Sequence, residues 1–185
     1  MAIKSSVRRI LDEMDTALAA VSPEGLERLV SAVLEADRVY VVGGGRSGLM
    51  ARAFAMRLMH LDLVAYVVGE TTTPAIRAGD LLVACSASGQ TQVTVLMSKV
   101  AQEAGARVFA MTAMPDSPMA RLANETIVIP APSKRSADVD DRSAQYGGSL
   151  FEQVLLLLLD AVSAEIGRRL GTPPREIDSR HANLE

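Results

Sequence analysis

Scarcity narrows the reading of this chain before any motif does. A single cysteine, Cys85, excludes an intramolecular disulfide and fits a reducing compartment. It sits in an apolar run, so it reads as a small buried residue and not as a nucleophile. Tryptophan is absent and aromatic residues make up only 3% of the chain, which leaves little from which to build a base-stacking or sugar-stacking platform. The two histidines, His60 and His181, share no ligand spacing with each other or with Cys85, so no metal centre is expected. Positive charge is in no excess: 19 Lys and Arg stand against 22 Asp and Glu, a net charge of −3, which argues against nucleic acid as a partner. Long apolar runs are missing as well. The longest, residues 154–159, is stopped by Asp160 and is far too short to span a bilayer. Residues 1–20 are amphipathic and charged, unlike a secretion signal. The expectation is a soluble, cytoplasmic protein with no nucleic-acid or membrane partner.

What is present describes one domain, 1–185. Hydrophobic residues at 49% against 22% charged are ordinary for a globular protein with a real core. Val7, Ile10, Leu11, Met14, Leu18 and Val21 recur at three- and four-residue spacing and predict a helix over 6–20. Ser22-Pro23-Glu24 is a helix-start signal, and Leu26, Leu29, Val30, Val33 and Leu34 follow at helical spacing. Continuous apolar runs at 38–42, 64–68, 81–85, 107–112 and 125–129 then alternate with helical patterns. That alternation specifies an α/β fold with a five-stranded parallel sheet covered on both faces, a three-layer α/β/α arrangement. Pro115 and Pro118 punctuate a short turn. Residues 130–148 form the longest irregular stretch, polar and of the kind that is functional or mobile. A last helix over 150–170 is apolar on every face at 155–159, which predicts burial on several sides. Gly171, Pro173 and Pro174 end it, and a polar tail follows. The helices of 6–35 and 149–170 are expected in subunit contacts.

Two glycine- and hydroxyl-rich turns carry the chemistry. Ser86-Ala87-Ser88-Gly89-Gln90-Thr91 joins the carboxyl end of a strand to the amino end of a helix, where unpaired N–H groups and the helix dipole favour an anion. Gly89 lets the backbone turn sharply, and the hydroxyls add uncharged donors suited to a phosphate. A helix cap by Ser88 or Thr91 explains the same residues equally well. Gly43-x-Gly45-x-x-Gly48, after the first strand, matches the dinucleotide fingerprint in form, with Glu70 a candidate ribose acid. Only five strands are readable, however, with no second mononucleotide half. The two turns also lie on the same edge of the sheet, so Ser47 and the Ser86–Thr91 hydroxyls could converge on one small ligand.

Ser47 in the first turn and Ser-x-Ser-Gly-x-Thr in the second resemble the sugar isomerase (SIS) domain family of phosphosugar-binding proteins, whose fold is flavodoxin-like or Rossmann-like. Longer stretches resemble its 6-phospho-3-hexuloisomerase branch: Gly45-Arg46-Ser47-Gly48, residues 53–61, 67–71 and 115–118, Gly148-Ser149-Leu150-Phe151-Glu152-Gln153, and the closing residues 180–185. That resemblance implies isomerisation of 3-hexulose 6-phosphate to fructose 6-phosphate in the ribulose monophosphate pathway of formaldehyde fixation, with no metal or organic cofactor. It also implies a homo-oligomer, most simply a dimer of dimers. The chain departs from the pattern at Gln90, where the branch usually has Glu, at Asp62, where it tends to have Gly, and at Tyr146-Gly147, which replace Pro-Met.

Moving a carbonyl from C3 to C2 needs a base that takes the C2 proton and returns it at C3 through a cis-enediol. The resemblance assigns Glu152 as that base, although Ser149-x-x-Glu152 also reads as a capping box. It raises His181 as a proton shuttle reaching a neighbouring subunit's site, since imidazole titrates near neutrality; a solvated tail histidine is the plainer alternative. Arg46, Ser47, Ser86, Ala87, Ser88, Gly89, Gln90 and Thr91 are the candidate phosphate and substrate ligands. Gly45, His60 and Glu70 are candidate lining residues.

Overall fold

The computed structural model describes residues 2–132 and 143–184. Part of the irregular stretch expected at 130–148 (residues 133–142) lies outside the described residues, as does Glu185 of the closing motif. The elements run α1 (Ala2–Ala19), α2 (Pro23–Glu35), β1 (Val39–Gly43), α3 (Gly45–His60), β2 (Ala65–Val67), β3 (Leu81–Cys85), α4 (Gln92–Glu103), β4 (Arg107–Thr112), α5 (Pro118–Leu122), β5 (Glu125–Val128), α6 (Ser149–Leu170) and α7 (Pro174–Ser179). All strand pairs are parallel, in the order β2-β1-β3-β4-β5. The five-stranded, three-layer α/β fold expected from the apolar runs is the fold observed.

Each strand alternates its side chains between two buried layers, which is why the runs are apolar throughout. Val39, Val41, Leu81, Val83, Cys85, Phe109 and Met111 pack with residues of α2, α3 and α6, whereas Tyr40, Val42, Leu82, Ala84, Val108 and Ala110 pack with Ala101 of α4 and Met119 of α5. Helix α6 lies at the centre of the first layer, against α1, α2 and α3. Leu155, Leu158 and Leu159 are buried there, while Leu157 stays 41% exposed in the single chain.

Three local expectations change. Helix α1 starts at Ala2 and not near residue 6. The turn at Pro115–Pro118 leads into a five-residue helix because Pro118 occupies its first turn and the Ser117 hydroxyl accepts from Ala120 N–H. The polar tail contains α7, entered through Pro173 and Pro174. Asp62 adopts φ +68, the one left-handed non-glycine among the described residues, a conformation that glycine takes without strain. Among the described residues no helix is long and apolar enough to cross a membrane.

At the amino end of the sheet the Arg38 guanidinium donates Nε–H to Asp80 Oδ1 (2.9 Å) and Nη2–H to Oδ2 (2.6 Å), and Arg77 N–H donates to Oδ2 (2.8 Å). Asp80 is buried. Burial raises its carboxyl, but the Arg38 and Arg77 donors outweigh that and hold it below the usual carboxylate range. A depressed folded-state pKa stabilises the fold above the ordinary value of 3.8 and loses that contribution as the pH falls through the lowered one. Asp80→Ala, which strands the guanidinium, should therefore cost about 3 kcal/mol in urea unfolding at pH 7. The gap between wild type and variant should narrow below the ordinary carboxylate value. A gap that is the same at pH 7 and pH 3 would contradict this role.

Candidate active site

Strands β1 and β3 are neighbours, yet their outgoing helices lie on opposite faces of the sheet: α3 in the α6 layer and α4 in the other. Such a switch point opens a crevice at the carboxyl edge of a parallel sheet. The first turn comes close because it has no side chains in the way: a Cβ on Gly48 would stand 2.5 Å from Gly43 O. Ser47 is carried into the crevice on the first turn of α3. In the second turn Gly89 has φ +57, and a Cβ there would fall 2.0 Å from Ser117 Oγ. The turn is tied down by Ser86 N–H to Met111 O, Ala113 N–H to Ala87 O and Met119 N–H to Gly89 O, each at 3.0 Å.

Together these turns form an open pocket of about 200 Å³, lined by Gly44, Ser47, Cys85, Ser86, Ala87, Ser88, Thr91, Gly148 and Glu152. Three of these residues are helix N-caps: Gly44 for α3, Thr91 for α4 and Gly148 for α6. None of the three helices is capped by a side chain, whereas Ser22 and Ser117 cap α2 and α5. The plain capping reading of Ser88 or Thr91 therefore does not hold. Thr91 occupies the N-cap position, but its hydroxyl bonds Ser86 Oγ (3.0 Å), and Ser88 Oγ accepts from Gln90 N–H (3.2 Å) within the turn. Each helix start carries roughly half a positive charge, so the pocket is built for an anion without any Lys or Arg in its lining. Burial pushes the Cys85 thiol up to about 12, so it is no thiolate nucleophile.

Glu152 borders this pocket with a side chain 13% exposed. A second cavity of about 340 Å³ adjoins it, sharing Gly44, Gly148 and Glu152 and adding Gly45, Arg46, Tyr146 and Ser149. Arg46 is turned toward the carboxylate and away from the hydroxyl turn. Its Nε lies 3.1 Å from Glu152 Oε2, and its Nη1 donates to Ser149 Oγ at 3.0 Å. The capping box expected between Ser149 and Glu152 is not formed. The helix begins one residue earlier, with Gly148 at the cap, and Ser149 donates its hydroxyl to Tyr146 O (2.6 Å).

Not every expected site residue comes together. Gln90 has an exposed side chain outside the pocket lining. Glu70 is exposed and paired with Arg52 at 2.8 Å. His60 and His181 meet each other, with ring centroids 4.1 Å apart and stacked, at the carboxyl end of α3. Sixteen residues of helix separate that end from the pocket, roughly 24 Å at 1.5 Å per residue. Burial, then the neighbouring His181, lowers the pKa of His60. Within one chain neither histidine reaches the pocket. Among the described residues, Gly44, Gly148 and Tyr146 are the additions that sequence reasoning did not single out. Gly44 had a legible signal, a glycine immediately before a helix with no serine, threonine or aspartate in the capping position, whereas at Gly148 the neighbouring Ser149 masked it.

The SIS domain family model matches residues 33–147. The chain belongs to the SIS domain family. The 3-hexulose-6-phosphate isomerase of Mycobacterium gastri is 44% identical over 183 residues, covering 99% of this chain and 92% of its own. That of Bacillus subtilis is 37% identical over 179 residues, 97% of each chain. A Methanococcus jannaschii crystal structure, from which a 3-hexulose-6-phosphate isomerase function was inferred, aligns with a TM-score of 0.82 at 32% identity, covering 98% of this chain and 99% of its own. The SIS match contains both turns but stops before Gly148. Glu152 and His181 fall outside it, in the part that the near-full-length relatives also cover.

Gly89→Ala isolates the geometry of the SIS turn. It should destabilise the fold by about 2 kcal/mol through left-handed strain and the Ser117 clash. The wild type should gain Tm in inorganic phosphate, and the variant should lose that gain. Unchanged stability with intact phosphate protection would contradict the pocket as described.

Proposed function

We propose that this SIS-domain chain is an isomerase that interconverts 3-hexulose 6-phosphate and fructose 6-phosphate through a cis-enediol, as the ribulose monophosphate pathway requires. The observation that carries this reading is a carboxylate, Glu152, at the junction of an anion pocket and a second cavity. It is supported by the names of relatives that match nearly the whole chain. The phosphate sits at the three helix starts, held by the hydroxyls of Ser47, Ser86, Ser88 and Thr91 and by backbone N–H groups of the Ala87–Gln90 turn. The chain of the sugar then extends past Glu152. Its carboxylate takes the proton from C2, the C3 carbonyl becomes an enediolate oxygen, and the proton returns at C3. Arg46 contributes positive charge beside the enediolate, in keeping with its place against Glu152 and not in the phosphate turn.

A second group must handle the hydroxyl proton, and the proposal gives that role to His181 of a neighbouring subunit. Its distance from its own chain's pocket motivates this. So do the apolar side chains left exposed on three helices: Ile3, Val7 and Leu11 of α1, Leu49 and Met56 of α3, and Val93, Leu96 and Val100 of α4. Closed association of copies, most simply a dimer of dimers, would cover them.

Glu152→Gln tests the assignment, because the amide preserves shape but accepts no proton near neutral pH. The variant should keep its Tm within a few degrees and bind fructose 6-phosphate, while kcat falls at least ~10²-fold. Mixing it with His181→Ala subunits under exchange should recover part of the activity in hybrid sites. Near wild-type turnover by Glu152→Gln would remove it as the base. Absence of recovery despite subunit exchange would remove the intersubunit role of His181.

A further inference from the structure

Glu13 lies on α1, outside both cavities of the site, yet its carboxylate gathers hydrogen bonds from three consecutive residues some 130 positions away. Ser143 Oγ–H reaches Oε2 at 2.7 Å, Ala144 N–H reaches Oε1 at 2.7 Å, and Gln145 Nε2–H reaches Oε2 at 3.0 Å. Burial alone would raise this carboxyl; the donors from Ala144, Ser143 and Gln145 overcome that and lower it, so the clamp carries charge.

The pinned segment runs directly into the site. Tyr146, the next residue, offers its carbonyl to the Ser149 hydroxyl at 2.6 Å. A serine hydroxyl has one proton to give, so spending it on Tyr146 leaves only lone pairs for Arg46 Nη1, which donates to them at 3.0 Å. The same guanidinium then presents Nε to Glu152 Oε2 at 3.1 Å. The guanidinium can only donate, so the Ser149 hydroxyl must be turned to the Tyr146 carbonyl to receive it, and the position of that carbonyl decides where the series is anchored. Gly147, at φ +58, follows Tyr146, so the turn has no side chain of its own there to hold it in place.

We propose that Glu13 is a positioning residue for the isomerisation: it pins residues 143–145 and thereby aims Glu152 through the Tyr146 carbonyl, the Ser149 hydroxyl and Arg46. The inference rests on Glu152 being the base. The hydroxyls proposed to hold the phosphate lie outside this relay, on the turns after β1 and β3, and only the Gly148 helix start adjoins it, so the loss of Glu13 reads out mainly in turnover.

The test is a mutant cycle on the full-length protein, with kcat, KM for fructose 6-phosphate and Tm measured for Glu13→Ala, Ser149→Ala and the double variant. Each single variant should lose ~10- to ~100-fold in kcat, the scale of a misplaced catalytic group. KM should stay within about twofold, and the double variant should be no worse than the poorer single one. Glu13→Gln, which keeps the length and one acceptor oxygen but sets an NH2 against the donors of the other, should recover only part of the rate. If Glu13→Ala does not fold, Glu13→Leu fills the space without an acceptor and takes its place. Undiminished kcat on losing the carboxylate, or a double variant showing the product of the two losses, overturns the proposal. Glu152→Gln measured alongside separates the two failures. Full turnover there refutes the base, whereas an inactive Glu152→Gln beside an unimpaired Glu13→Ala refutes only the relay.

Discussion

Three helices of this molecule begin at one place with no side chain capping any of them, and their common demand for negative charge is what the site is built on. Helices α3, α4 and α6 start at Gly44, Thr91 and Gly148, all on the wall of one pocket. A helix start left without a cap typically costs about 1 kcal/mol. Two other helices, α2 and α5, avoid that cost with Ser22 and Ser117. Leaving it unmet at three converging ends makes sense where a phosphate supplies the missing acceptors, since hydrogen bonds to a charged partner contribute roughly 1.5–3 kcal/mol each. Backbone donors already fixed by the fold lose no side-chain entropy on binding, as lysine or arginine would. The pocket offers an anion its helix starts and hydroxyls, with no Lys or Arg in its lining.

The rest of the architecture serves that convergence. The strand order 2-1-3-4-5 sets β1 beside β3 and sends their helices to opposite faces, which opens the crevice. Close approach at Gly43, Gly48 and Gly89 brings the two turns within reach of one ligand. Helix α6, buried through the middle of one layer, delivers its own start and, one turn later, Glu152. The Glu152 carboxylate stands on the edge of the first pocket, paired with Arg46, which lies outside it in the adjoining cavity. The proposed function gives binding and proton transfer to different residues, and on that reading a substitution can affect one without the other.

Much of this was legible in the sequence, and the parts that were not have physical causes. Strands buried on both faces are continuous apolar runs, so β1, β3 and β4 could be read directly, and β5 nearly so. The edge strand β2 shrank to three half-buried residues, because one side of it has no partner strand. Short helices such as α5 and α7 carry too few residues to show a period and were read as a turn and a tail. Ser149-x-x-Glu152 matched a capping box in spacing alone. The chain enters the helix at Gly148, so Ser149 bonds backward to Tyr146 and Glu152 is free to meet Arg46. The Glu13 clamp could not be anticipated, since nothing local connects it to residues 130 positions distant. The His60–His181 stack was equally hidden, being made by the return of α7 against the end of α3.

The central claim is that this carboxylate-bearing pocket performs proton transfer between C2 and C3 of a hexulose 6-phosphate. The most direct measurement is NMR of fructose 6-phosphate incubated with the purified protein in deuterated water. The account predicts deuterium at C3 of the fructose 6-phosphate and at C2 of the 3-ketose formed from it, and none at C1, C4, C5 or C6. Isomerisation that leaves both C3 of the fructose 6-phosphate and C2 of the 3-ketose fully protonated over many turnovers would contradict an enediol formed by a base in exchange with solvent, and tight binding with neither isomerisation nor deuterium uptake would contradict catalysis altogether.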